Sequence, residues 1–167
     1  MKPEEFEIFI ACVPGLEHEL LSEIKKNSFK QTKLMVGGAS LFGDWRDVWR
    51  ANFYLRGATK VLVRFTSFRA THLAQLDRLS HKLSWENLLQ YKKSFRVETV
   101  CRKSKIYHSG AAAERISKAI SDKIDAKEDP NSGIVIKTRI SSDICTISLD
   151  SSGAGLHKRG YKIATGK

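Results

Sequence analysis

Two short segments concentrate the cationic and aromatic side chains that could bind a polyanion. In the first, a predicted strand is joined to a predicted helix by Arg102, Lys103, Lys105, Tyr107 and His108. Basic side chains before a helix N-terminus can hold phosphate, tyrosine can stack on a base, and histidine can donate to phosphate or ribose. The alternative interpretation is a solvated loop that happens to be basic.

The second segment is Leu156–Lys162 (LHKRGYK), which places four cationic or ionisable side chains around a glycine and a tyrosine. Glycine lets a backbone approach a ligand closely, and arginine binds phosphate with a planar fork. Alternatively, Tyr161 anchors this tail to a sheet. A third and weaker basic group contains Lys92, Lys93 and Arg96. From the two stronger segments we predict nucleic-acid contacts by Arg102, Lys103, Lys105, His108, Lys158, Arg159 and Lys162.

No motif in the sequence predicts a catalytic, cofactor or metal site. There is no P-loop, no G-x-S-x-G elbow and no deaminase signature. Gly153-Ala154-Gly155 begins like a dinucleotide motif, but no glycine follows three places later. Cys12, Cys101 and Cys145 are far apart and odd in number, so we predict small buried hydrophobic residues and not metal ligands or nucleophiles.

The positive charge is unevenly distributed along the sequence. Residues 1–50 contain 7 Lys/Arg against 8 Asp/Glu, whereas residues 51–167 contain 22 against 10. This imbalance predicts a polyanion partner, and nucleic acid is favoured because a membrane surface would need a basic amphipathic helix. A merely solubilising charge is the alternative. No apolar run is long enough to span a bilayer and the start is acidic, so we expect a cytoplasmic protein.

The first third of the chain has the pattern of a split βαβ plan. Predicted strands and helices alternate as strand 7–13, helix 16–26, a hairpin over 31–42, helix 44–55 with Asp44 as its N-cap, and strand 58–68. This order is typical of a ferredoxin-like unit. Trp45, Val48, Trp49 and Phe53 share one helical face, which predicts core packing in preference to a platform for bases.

A second α/β unit follows. We predict a helix over 73–89 interrupted near Ser84, a strand over 94–100, a helix over 109–126 capped by Ser109, and a hairpin of strands 134–140 and 144–150. The charge boundary near residue 55 suggests that the first unit supports or orients the second.

The closing segment Asp150–Tyr161 has the pattern D-x-S-G-x-x-L-H-K-R-G-Y. It resembles the end of the THUMP domain in bacterial methyltransferases that modify guanine at N2 in large-subunit ribosomal RNA. Pro14-Gly15-Leu16-Glu17, continued by Glu19-Leu20, is similar to the opening strand–helix junction of that family. The resemblance implies an α+β fold: a ferredoxin-like subdomain over 1–56, a THUMP domain over 57–163, and the start of a linker at 164–167.

This resemblance implies RNA binding, with the chain positioning structured ribosomal RNA for a carboxy-terminal methyltransferase domain. S-adenosylmethionine is expected in that domain, whose glycine-rich loop and Asn/Asp-Pro-Pro-aromatic motif do not occur here. We therefore expect a chain cut from a longer protein, and no catalytic residue is carried over. The alternatives are a THUMP module of a transfer-RNA-modifying enzyme, a stand-alone RNA-binding adaptor, and a module that binds an acidic protein.

Overall fold

The computed structural model describes residues 5–89 and 94–158 of the 167-residue chain. The chain divides into two compact units: the first contains Met1–Arg64 and Asp150–Lys167, and the second contains Phe65–Leu149. The second unit is therefore inserted into the sequence of the first. The domain boundaries that we place at residues 56 and 163 stay predictions.

The first unit has the strand–helix–strand–strand–helix–strand order of a ferredoxin-like domain. Its elements are β1 (Phe6–Ala11), α1 (Glu17–Lys26), β2 (Lys33–Met35), β3 (Gly38–Gly43), α2 (Trp45–Tyr54) and the start of β4 (Lys60–Arg69). The strands lie in the order β2-β3-β1-β4, and β1 is antiparallel to both of its neighbours. The predicted plan is confirmed.

Alternation along the strands separates the two faces of this sheet. The core contains Ile8 and Ile10 of β1, Leu41 of β3, and Leu20 and Ile24 of α1, all essentially without solvent exposure. Because successive side chains of a strand point to opposite faces, the residues between these core positions lie on the other side of the sheet.

Helix α2 begins at a capping box. The Asp44 carboxylate accepts hydrogen bonds from the N–H groups of Arg46 and Asp47, and the Asp47 carboxylate accepts one from the Asp44 N–H. This arrangement satisfies N–H groups that the first helical turn leaves without partners. The Asp44 cap predicted from the sequence is therefore confirmed.

The predicted core packing of the α2 aromatic residues is wrong. Trp45, Trp49 and Phe53 are 45%, 67% and 73% exposed, while Val48 and Ala51 are fully buried. The helix packs through the stripe that contains Val48 and Ala51, and the three aromatic side chains form a neighbouring stripe. Four-residue spacing predicts a shared face, but it does not say which face meets the core.

The second unit combines three helices with its own set of strands. Its elements after β4 are α3 (Leu73–His81), α4 (Trp85–Leu89), β5 (Ser94–Arg102), α5 (Ser109–Ser121), β6 (Lys127–Glu128), β7 (Val135–Ser141) and β8 (Ile144–Asp150). The strand order is β4-β8-β7-β5-β6, in which β5 is parallel to β7 and β7 is antiparallel to β8.

The predicted interruption of the first helix near Ser84 is confirmed. The break between α3 and α4 allows Trp85 to be fully buried, with its indole N–H donating to the Ser80 carbonyl at 2.8 Å. Trp85 joins Phe95 of β5 and Ile116 of α5 in one apolar cluster. This core holds the strands against one layer of helices, as in other two-layer α+β domains.

Helix α5 differs from its prediction at both ends. The N-cap residue is His108, which makes no side-chain capping bond, and Ser109 is the first helical residue. The helix ends at Ser121, although Ala126 is still buried in the core. The two-residue strand β6 was not predicted, because two exposed charged residues carry no hydrophobic pattern.

Candidate nucleic-acid interface

The loop between β5 and α5 is held in place by the turn between β7 and β8. Asp143 is the main contact, because its carboxylate accepts from the Lys105 N–H at 2.8 Å and its own N–H donates to the Ser104 hydroxyl at 3.1 Å. The Ser104 hydroxyl in turn donates to the Arg102 carbonyl at 2.9 Å. Lys103 has a left-handed backbone with φ of 46°. The loop backbone is therefore held by the Asp143 carboxylate and the Ser104 hydroxyl, and not by the side chains of Arg102, Lys103 and Lys105.

The cationic groups of the side chains in this loop are open to solvent and to a ligand. Arg102, Lys103 and Lys105 are exposed, and none of their side chains has an ion pair or hydrogen bond within residues 5–89 and 94–158. We call these three residues the basic loop. The following residue, Ile106, is 4% exposed and anchors the loop in the core. Cations without protein partners on a fixed backbone can bind phosphate without first breaking an ion pair.

The basic loop borders a cavity of about 400 Å³ in the second unit. The cavity has mostly apolar walls, and its size is within the range of small-ligand sites. Its lining comes from two segments far apart in sequence: Thr71, His72, Leu73, Lys105, Ile106, Tyr107, His108 and Ala111. The predicted residues Lys105 and His108 are therefore brought together in one site.

Two helices begin at this cavity. At α5, the Ala112 N–H donates to the His108 carbonyl, so the N–H groups of Ser109, Gly110 and Ala111 have no acceptor inside the helix. At α3, His72 is the N-cap and its Nδ1 accepts from the Gln75 N–H at 3.2 Å. Unsatisfied N–H groups and the positive end of the helix dipole favour an anion at the start of α5.

Tyr107 and His108 present aromatic surface beside the cavity. Tyr107 is 81% exposed, and its ring centroid lies 5.9 Å from that of His108. An exposed ring of this kind can stack on a base.

Sequence reasoning missed Thr71 and His72. The signal was present, because Gln75 stands three residues after His72 and its side-chain oxygen accepts from the Thr71 N–H at 3.0 Å. This pairing is a variant of the capping box that marks a helix start. What the sequence does not show is that this helix start meets the basic loop.

The second predicted segment lies in the first unit. Lys158 is exposed and ends a 3₁₀ turn over Leu156–Lys158. Arg159, Tyr161 and Lys162 lie outside the described residues. Arg102, Lys103, Lys105 and His108 therefore belong to the second unit, and Lys158 belongs to the first.

The serines of the closing motif have a structural role in the first unit. Ser152 accepts from the Val61 N–H and donates to the Asn52 side chain, both at 2.8 Å. Ser151 donates to the Val61 carbonyl at 2.8 Å, and Asp150 pairs with Lys60 at 2.7 Å. These bonds fasten the returning chain to β4 and α2.

Gly153-Ala154-Gly155 does not fit a nucleotide cofactor. A Cβ at Gly155 would meet the ring of His157, so the space that this glycine leaves is filled from within the chain. The following element is a three-residue 3₁₀ turn and not the long helix that a dinucleotide loop needs. No catalytic step through S-adenosylmethionine can be assigned to these residues.

Of the weaker basic group, the structure describes only Arg96. Arg96 lies beside Glu98 at 3.4 Å and donates to the Pro130 carbonyl at 3.2 Å. The guanidinium of Arg96 therefore already has acceptors within the second unit. Lys92 and Lys93 fall outside the described residues.

The three thiols are poor nucleophiles. Cys12 and Cys145 are buried, Cys101 is partly buried, and none forms a disulfide. Burial raises the pKa of each thiol, to about 12 for Cys145.

In the described part of the chain, no cluster of three His, Cys, Asp or Glu residues is arranged to hold a metal ion. Among the same residues, no helix has the length and apolar character needed to cross a bilayer.

Positive charge is shared between the units. The first unit has 14 Lys/Arg against 9 Asp/Glu, and the second has 15 against 9. The charge boundary in the sequence does not coincide with the unit boundary, because the basic tail belongs to the first unit. Charge therefore gives no reason to treat the first unit as a mere support.

Family models match both units. Residues 7–62 match the RlmL ferredoxin-like domain, and residues 70–150 match the THUMP domain. The chain therefore contains an RlmL ferredoxin-like domain followed by a THUMP domain. It is similar to bacterial ribosomal RNA large subunit methyltransferases.

Two curated relatives and one solved structure give the extent of the similarity. Ribosomal RNA large subunit methyltransferase K/L of Desulfotalea psychrophila is 28% identical over 98% of this chain. Its counterpart from Syntrophotalea carbinolica is 30% identical over 92%. The chain spans about a quarter of each relative, 24% and 23%. A Listeria monocytogenes protein described as a predicted N6-adenine-specific DNA methylase is 29% identical, with a TM-score of 0.85 over 98% of this chain and 45% of that one.

Proposed function

We propose that this chain is an RNA-binding region that positions structured ribosomal RNA for a methyltransferase domain outside it. That domain would bind S-adenosylmethionine and methylate guanine at N2, as part of ribosomal RNA processing in the cytoplasm. The chain itself contributes binding and orientation. The likeness to ribosomal RNA methyltransferases and the THUMP match support this assignment.

The observation that carries the proposal is the convergence of three nucleic-acid-binding features in the second unit. Lys105 of the basic loop, the open N-terminus of α5 and the exposed ring of Tyr107 border one cavity. Phosphate contacts position a nucleic acid and carry no sequence information, so this site favours the shape of a folded RNA.

The test is binding of the whole chain to a fluorescently labelled ribosomal RNA hairpin, measured by anisotropy from about 50 to 200 mM salt. We expect tighter binding to the hairpin than to duplex DNA of equal length. Replacing Arg102, Lys103 and Lys105 together by Ala should weaken hairpin binding. It should also flatten its salt dependence by roughly two units of slope, because each phosphate contact contributes roughly 0.7 to 0.9.

A matched control removes one arginine and two lysines elsewhere in the same unit. Arg78, Lys118 and Lys123 are exposed and lie towards the C-terminal ends of α3 and α5. Replacing these three by Ala should change the affinity much less. Equal losses in both triple variants would mean that net charge, and not the basic loop, drives binding.

A further inference from the structure

The face of the first unit's sheet opposite its helices carries two aromatic side chains on adjacent strands. Phe9 lies between the buried Ile8 and Ile10 of β1, and Phe42 follows the buried Leu41 of β3. Alternation therefore places both rings on the face away from the core. Phe9 is opposite Ser40, so Phe42 is its diagonal neighbour on the next strand. Diagonal neighbours across an antiparallel pair are about 7–8 Å apart, within reach of aromatic side chains.

An arginine extends this aromatic surface. The guanidinium carbon of Arg64 lies 4.4 Å from the centre of the Phe9 ring. Arg64 is on β4, the neighbour of β1 on the side away from β3. Guanidinium planes stack on bases in the same way as aromatic rings do. Phe42, Phe9 and Arg64 thus form a row across three strands, in which the guanidinium of Arg64 already covers one face of the Phe9 ring.

This row keeps contact with solvent. Phe42 is 46% exposed, and Phe9 and Arg64 are partly exposed. Part of each of these side chains is therefore accessible to a ligand.

The groups around the row fit a nucleic-acid strand. Lys33 of β2 is exposed and pairs in register with Ser40, so it can reach a phosphate beside the rings. Glu7 is opposite Phe42 and is an acceptor for the amino group of a base. A carboxylate at this place disfavours a phosphate directly over Phe42, which leaves that ring for a base.

We propose that this face binds unpaired bases of single-stranded RNA, stacked on the half-exposed ring of Phe42 and on the outer side of the Arg64–Phe9 pair. Four-stranded sheets of RNA recognition motifs bind two or three bases by stacking them on aromatic side chains of the sheet. The ferredoxin-like unit supplies the same kind of surface with the strand order β2-β3-β1-β4. The identity of the ligand as RNA rests on the proposed function, while the surface is separate from the basic loop.

The experiment uses the whole chain and a labelled RNA of eight unpaired nucleotides. An abasic strand of equal length and charge is the second probe, because stacking requires bases and electrostatic attraction does not. Phe42→Leu keeps an apolar side chain but removes the ring, and Phe42→Tyr keeps the ring. Phe9→Leu is the second ring variant, accepted only if its urea unfolding midpoint matches that of the unaltered chain. Trp49→Leu is the matched control, an exposed aromatic residue on helix α2.

We expect the eight-nucleotide RNA to bind at least about fivefold more tightly than the abasic strand. Phe42→Leu should remove most of this preference, Phe42→Tyr should keep it, and Trp49→Leu should leave it unchanged. An equal affinity for both strands, or a preference that Phe42→Leu leaves intact, overturns the inference. A preference for RNA that is lost only in Trp49→Leu also overturns the inference, since the bases would then stack on helix α2.

Binding of the ribosomal RNA hairpin, measured on the same variants, distinguishes a failure of the sheet platform from a failure of the proposed function. Hairpin binding that depends on the basic loop, combined with an unaltered eight-nucleotide affinity in Phe42→Leu, rejects only the sheet platform. Absence of hairpin binding at low salt, with base-dependent binding of the short strand, rejects only the basic loop.

Discussion

At the scale of single residues, His81 is placed between two acceptors. Its Nδ1–H donates to the Asp77 carbonyl at 2.9 Å, and its Nε2 lies 3.2 Å from the Asp122 carboxylate. A neutral imidazole has one N–H and can satisfy only one of them, whereas the imidazolium satisfies both. The hydrogen bond to Asp77 and then that to Asp122 therefore raise the pKa of His81.

This pair of bonds predicts a pH-dependent stability. Because the pKa of His81 is higher in the folded chain, its contribution is fully present below the unfolded value of about 6.5 and is lost as the pH rises through the folded value. The group is partly exposed, so we expect about 0.5–1 kcal/mol. His81→Gln should thus lower the free energy of unfolding more at pH 5.5 than at pH 8.5, measured by urea denaturation.

Asp122→Ala provides the control, because it removes one of the two acceptors and should reduce the pH-dependent difference without abolishing it. A cost of His81→Gln that is the same at both pH values would show that the imidazole contributes only by packing.

At the scale of elements, the pairing of β1 with β3 depends on a glycine. Gly38 is opposite Ala11, and a Cβ built on Gly38 would overlap the carbonyl oxygen of Ile10. The obstacle is backbone and not a flexible side chain, so it cannot move aside without shifting the strand. The register that places Phe9 beside Ser40 rests on this close approach.

We expect Gly38→Ala to destabilise the chain by about 1–3 kcal/mol, the usual cost of overpacking. Gly110→Ala is the control, since no atom lies within 4 Å of the added Cβ and the residue is in the first turn of α5. That substitution should be neutral or stabilising by up to about 1 kcal/mol. Urea unfolding midpoints of the two variants check this. Equal midpoints would mean that β1 and β3 separate at no cost.

The elements themselves could be predicted where local pattern and tertiary packing agree. The break at Ser84, the Asp44 cap and both hairpins have signals within a few residues. The outward orientation of Trp49 could not be predicted, because a stripe of large apolar residues also fits a buried face. Strand β6 has no apolar residue, and it exists because β5 offers it a partner.

The candidate site could also be predicted only where its residues are close together in the sequence. The basic loop is contiguous in sequence, so composition and a following helix start are sufficient to find it. The cavity needs His72 and Thr71, which lie more than 30 residues earlier and meet the loop only in the folded unit. The serines of the closing motif were noted only for the family resemblance, and the sequence does not show that their hydroxyls bond to β4 and α2.

At the scale of the whole molecule, the first unit is discontinuous and is closed by those serines. Ser151 and Ser152 make four side-chain hydrogen bonds with Val61 and Asn52, at 2.8 to 3.0 Å. These bonds join two parts of the unit that are about 90 residues apart in sequence.

We expect the double variant Ser151→Ala and Ser152→Ala to lose about 2–3 kcal/mol of unfolding free energy, because it leaves the Val61 N–H without its acceptor. Ser67→Ala is the control, since this exposed hydroxyl bonds only to Thr146 at 3.3 Å among the described residues. It should cost less than about 0.5 kcal/mol. Both are measured by urea denaturation, and similar losses would contradict the closing role of the two serines.

The insertion of the second unit also sets an order of events during synthesis on the ribosome. The last segment of the first unit emerges only after residues 65–149 have been made. At roughly 5–20 residues per second, this delay is roughly 4–17 seconds. All of the second unit has left the ribosome by then, so the unit that begins first is the last to be completed. During that interval the β4 edge at Val61 is without the serines that later bond to it, so its backbone groups are open to pairing with another nascent chain.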